Sequence, residues 1–169
     1  MSDFAGMEDL LQDFLVEAGD LLSDVDNKLV ELEHSPDDPG LLNDIFRGFH
    51  TIKGGAGFLG AAELVTLCHL TESLFDRLRK HELEVTPERM DVILSATGAV
   101  RDAVTAALDA LDGVEAGDAR DVGRLGRPGA DGADPRHDYE REAVDVASRE
   151  VRSVVEEPLE RGQRRFVHT

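Results

Sequence analysis

FHTIKGGAGFLG, residues 49–60, can be read as a helix that stops or as a helix that carries on through its glycines. A glycine inside a helix costs roughly 0.5–1 kcal/mol relative to alanine. Gly54, Gly55 and Gly57 follow directly on His50 and Lys53, so they are expected to serve something other than helix stability. The residues leading into them have helical spacing. Leu41, Ile45, Phe49, Ile52 and Ala56 fall on one stripe, with Asp38 placed to cap the helix and Pro39 at its first position, where a missing N–H costs nothing.

The same periodicity extends outward in both directions. Before the loop at Ser35–Pro39, residues 7–34 carry Met7, Leu11, Phe14, Ala18, Leu21, Leu22, Val25, Leu29 and Leu32 at steps of three and four, a long amphipathic helix. A third helix from about Ala61 to Lys80 presents Leu64, Leu67, Cys68, Thr71, Leu74, Phe75 and Leu78. Thr86 and Pro87 form another cap-and-proline start, opening a fourth helix with Met90, Ile93, Leu94, Thr97, Val100, Val104, Leu108 and Leu111. Four such helices joined by short loops predict an all-α, antiparallel four-helix bundle over residues 1–113. Residues 116–137 are rich in Gly, Asp and Arg, and Val144, Val151, Val154 and Val155 give only weak helical spacing beyond them. Residues 114–169 are therefore read as a linker and tail, disordered or partly helical and dispensable for the bundle.

The formal net charge of −18 argues against nucleic acid as a partner, since polyanions are bound by basic patches. The single cysteine, Cys68, excludes an internal disulfide, fits a reducing cytoplasmic setting and lies on the apolar stripe of the third helix, where a core role is expected. The start, MSDFAGMEDLLQDF, has no basic n-region and no long apolar run, so neither a signal peptide nor membrane insertion is expected.

On a helical wheel stepped at about 100° per residue, His50 lies opposite the core stripe, within about 60° of Asn43, Phe46, Arg47, Lys53, Gly54 and Gly57. Lys53, one turn along, can reach the imidazole or anything attached to it, and the glycines leave space beside it for another molecule. On the next helix, His69 and Glu72 flank the core. A carboxylate there can accept a hydrogen bond from Nδ1–H of His50 and leave the lone pair on Nε2. The imidazole would then be the nucleophile itself. Two other readings stay open on these residues: a metal carrier using His50, His69 and Glu72, and an interaction bundle whose glycines merely end a helix.

FRGFHTIKGGAGFLG followed by HLTESLFDRLR resembles the histidine phosphotransfer (Hpt) domain, and more narrowly the N-terminal domain of the CheA family of chemotaxis histidine kinases. The opening DLLQDFLVEAGDLLSDVDNKLVELE is similar to that family's first helix. The resemblance covers residues 1 to about 112. It implies that His50 is the phosphoacceptor, Glu72 its hydrogen-bonding carboxylate, and Lys53 and His69 the rest of the polar network. Phe46, Arg47, Gly54 and Gly57 would then form the docking face. The implied partners are a CheA-like kinase domain, which would bring ATP and Mg²⁺, and response regulators of the CheY and CheB type. The chain itself is expected to hold no cofactor or metal, and nothing in it resembles an ATP-binding domain. A stand-alone Hpt phosphorelay protein is the alternative.

Overall fold

The computed structural model describes residues 2–58, 60–115 and 135–158. Among them are five helices and no strand: α1 (Ser2–His34), α2 (Pro39–Phe58), α3 (Ala62–Arg79), α4 (Pro87–Glu115) and α5 (Pro135–Val155). The all-α bundle expected from the periodicity is present. The predicted caps form as well. Asp38 Oδ1 accepts from the N–H groups of Gly40 (2.9 Å) and Leu41 (3.2 Å), and Thr86 Oγ1 accepts from Arg89 N–H at 3.2 Å.

α2 does not break at Gly54, Gly55 or Gly57. Its terminator is Gly60, with φ +68°. Gly60 N–H donates to the Gly57 carbonyl (3.2 Å) and Ala61 N–H reaches back to Ala56 (3.1 Å), which is the Schellman closure. Gly55 has a different task. A Cβ there would lie 1.7 Å from Cε2 of Phe14, so the ring of this α1 residue rests on the bare backbone of α2 and a side chain at Gly55 would displace it. Phe14 is correspondingly on the flank of α1, while Leu15 takes the core position beside Ala18 and Leu22.

α1 packs against α2 and α4, and α3 packs against α2. The remaining side is closed by α5, which lies between α3 and α4. The core runs from Leu22, Leu29 and Leu32 of α1 through Ile45, Phe49 and Ile52 of α2 to Leu67, Leu74 and Phe75 of α3 and Ile93 of α4, all fully buried. The Phe49 and Phe75 rings stack at 6.0 Å. The buried hydroxyls of Thr71 and Thr97 donate to the carbonyls one turn back, each at 2.8 Å, so neither is left unsatisfied.

Over residues 135–158 the partly helical alternative for the tail is the one present, and what needs correction is its dispensability: Val144, Ala147, Val151 and Val154 of this helix are buried against α3 and α4. Its C-terminal end is held by charge. Arg77 Nη1 donates to the carbonyl of Glu157 (2.8 Å), and Arg89 pairs with the Glu157 carboxylate (2.7 Å). Of the linker expected over residues 116–137, residues 135–137 already belong to α5, while residues 116–134 and those after 158 lie outside the described chain.

Candidate functional site

Two helical stripes face each other across the α2–α3 contact. On α2, Asn43, Phe46, His50 and Lys53 follow at steps of three and four; on α3, Glu72, Asp76 and Arg79 do the same. Because the helices run antiparallel, His50 meets Glu72 at one level and Asn43 meets Arg79 at another.

His50 is 63% exposed, yet its Nδ1 lies 2.8 Å from Oε1 of Glu72, a carboxylate only 11% exposed. Lys53 Nζ stands 2.6 Å from the other oxygen, Oε2. At that distance the ammonium offsets the charge of a carboxylate that is largely withdrawn from solvent. Burial by itself would raise the Glu72 pKa. The Lys53 ammonium and the His50 N–H outweigh it and hold the carboxyl below its usual range. Glu72 is therefore ionised at neutral pH and can only accept, which puts the proton on Nδ1 and the lone pair on Nε2.

Beside this triad the backbone is bare. A Cβ at Gly54 or Gly57 would meet no atom within 4 Å, so these two glycines leave open space next to the imidazole, unlike Gly55. Arg47 is exposed, with its carbonyl accepting from Thr51 Oγ1 at 3.0 Å. Phe46 is half-buried and lies between two partners: its ring stacks on His50, and the Arg79 guanidinium sits 3.9 Å from its centre.

The structure thus brings His50, Lys53 and Glu72 together and leaves His69 outside. His69 is exposed, and among the described residues its ring makes no hydrogen bond or ion pair; its carbonyl accepts from Ser73 Oγ at 2.9 Å. Cys68 is buried, and burial first, then the Glu72 charge, pushes its thiol up to about 12, which keeps it protonated and inert. Sequence reasoning missed Asp76 and Arg79. Their signal was present, since they lie one and two turns beyond Glu72 on the same face of α3.

An exposed imidazole with a fixed tautomer, an unhindered approach and one adjacent ammonium is suited to accepting a small anionic group on Nε2. The comparisons with known proteins agree with that chemistry. The family model described as the Hpt domain matches residues 9–113. The chain is 41% identical over 103 residues to the sensor histidine kinase CheAY of Helicobacter pylori and 37% identical over 103 residues to the chemotaxis protein CheA of Halobacterium salinarum. These matches take in 61% of this chain but only 13% and 15% of those proteins, so the chain spans a small part of their length. Among solved structures it is similar to the CheA phosphotransferase domain from Thermotoga maritima, at 32% identity and a TM-score of 0.56, covering 59% of this chain and 94% of that one. A solution structure of the histidine phosphotransfer domain of CheA matches 87% of this chain and 92% of its own, at 27% identity and a TM-score of 0.58. With more than half of its length matched by the family model, the chain belongs to the Hpt domain family.

Proposed function

We propose that His50 accepts a phosphoryl group on Nε2 from a CheA-like kinase domain and hands it to an aspartate of a CheY- or CheB-type response regulator. The observation that carries this reading is the 2.8 Å contact between Nδ1 of an exposed His50 and the ionised, buried Glu72. The Nε2 lone pair forms the N–P bond while the P–O bond to the leaving ADP breaks, its electron pair departing on ADP. The ring keeps its Nδ1 proton, and Glu72 faces the positive charge that develops on it. Lys53 stands where it can offset the new phosphoryl charge. Arg47, Gly54 and Gly57 give the partner its approach. ATP and Mg²⁺ would arrive on the kinase domain, because a chain with net charge −18 offers no general clamp for a triphosphate. The setting consistent with this role is cytoplasmic; no described helix is long and apolar enough to cross a membrane.

With a CheA-type kinase core and ATP, the chain should gain one acid-labile, alkali-stable phosphate. His50→Gln should remove it and leave the helical circular dichroism signal intact. Equal labelling of the variant would overturn the assignment of His50.

A further inference from the structure

The hydrogen bond to Glu72 fixes one atom of the His50 ring and leaves a freedom that matters for the chemistry. The Nε2 lone pair lies in the ring plane, so any tilt of the imidazole about its Nδ1 contact swings the lone pair away from the incoming phosphorus. A side chain that is 63% exposed has little packing of its own to prevent this.

Phe46 supplies a flat surface at that place. It lies one turn before His50 on α2, with 12° between the ring planes and 6.3 Å between centroids, the geometry of an offset stack. It is not a loose surface ring. It packs against the hydrophobic core, and from α3 the Arg79 guanidinium covers it at 3.9 Å. Arg79 is itself tied to both helices, donating to Asn43 Oδ1 on α2 (2.9 Å) and Asp76 Oδ1 on α3 (2.7 Å). Lys80 first, then Arg79, hold the Asp76 carboxyl below its usual range, so this anchor stays charged at neutral pH.

We propose that Phe46, clamped by Arg79, is a positioning residue that sets the plane of the His50 imidazole while Glu72 sets its tautomer. The proposal rests on the reading of His50 as phosphoacceptor. Two independent constraints, one in the plane and one on its tilt, then aim Nε2 without covering it. The ring remains reachable because Phe46 lies along the α2–α3 seam and the open side belongs to Gly54 and Gly57.

The test uses the full chain and phosphoramidate, a small phosphoryl donor that needs no kinase. Nε2 takes the phosphoryl group as the donor P–N bond breaks and its electron pair leaves with ammonia. Phe46→Leu keeps an apolar side chain of similar bulk and removes the flat face; Phe46→Tyr keeps the ring. With wild type labelled, Phe46→Leu should be phosphorylated about tenfold more slowly, Phe46→Tyr should stay near the wild-type rate, and both should retain the helical signal. In Phe46→Leu the His50 ring protons should also lose their ring-current shift and the ring should show faster motion by NMR relaxation. Wild-type rates in a folded Phe46→Leu, or unchanged His50 ring signals, overturn the positioning role. Failure of wild type itself to be labelled at His50 by either phosphoramidate or the kinase core overturns the phosphoacceptor reading instead, and the NMR comparison then decides the stack alone.

Discussion

Glu72 faces an ammonium and an imidazole N–H at once, and its charge is where the site is sensitive to acid. Its pKa in the folded protein is depressed, so the unfolded chain binds a proton at higher pH than the folded one does. The stability it contributes is complete above the ordinary glutamate value of 4.5 and is lost as pH falls through the lower folded value. Glu72→Gln keeps the shape and removes the charge. It should cost about 1–2 kcal/mol at pH 7, and the gap from wild type should close as pH drops below 4.5. Thermal melts of both proteins from pH 7 to pH 3 measure this; a gap that stays constant over the range would mean that the carboxylate charge is not what matters. The amide can also donate, so the same substitution should mix the His50 tautomers, a change read directly from imidazole ¹⁵N shifts.

At the scale of the helices, α5 is the informative case. Val151 is fully buried beneath it while Val146, five residues earlier, is 44% exposed. Val151→Asp should place a carboxylate in the core at a cost above about 3 kcal/mol, or roughly a 10 °C fall in melting temperature. Val146→Asp should stay within about 0.5 kcal/mol of wild type. Equal melting of the two variants would mean that α5 does not pack on α3 and α4. That helix was the least legible element in the sequence because its buried side, among the described side chains, consists of Val144, Ala147, Ser148, Val151 and Val154 among many charges, small residues that mark only a faint stripe. α2 and α4 were legible because Asp38–Pro39 and Thr86–Pro87 announce their starts by local chemistry alone. Glu72 was legible for a related reason: helical phase put it on the flank facing the histidine helix. The same phase argument failed for His69, since a position beside the core stripe does not say whether the side chain turns inward. The contact between Phe14 and Gly55 was out of reach, because a ring seated on a bare stretch of backbone leaves only an unexplained glycine in the sequence.

The whole molecule carries far more acid than base, and much of the excess is on α1. Asp9, Asp13 and Glu17 repeat at four-residue spacing along its exposed side, where like charges repel, and Lys28 is the one lysine or arginine in that helix. Some acids are matched: Asp24 pairs with Lys28, Asp26 with Arg101, and Glu63 with Arg141. These pairs are largely at the surface and are each worth about 0–1 kcal/mol. Two opposite effects of salt follow. Screening weakens the pairs, and it also relieves the self-repulsion of a chain with net charge −18. The repulsion should dominate, since acidic residues outnumber Lys and Arg by 36 to 18 and every unpaired one adds to it. Raising ionic strength from about 0.01 M to 0.1 M shortens the screening length from about 30 Å to 10 Å, and the melting temperature should rise by about 3 °C. Glu17→Lys, which turns the contact with Asp13 from repulsive to attractive, should reduce that salt response while raising stability by about 0.5 kcal/mol at low salt. A melting temperature that falls with added salt would give the opposite ranking. The ion pairs that tie α5 to its neighbours, Arg89 with Glu157 and Arg141 with Glu63, would then govern the fold more than the acidity of α1 does.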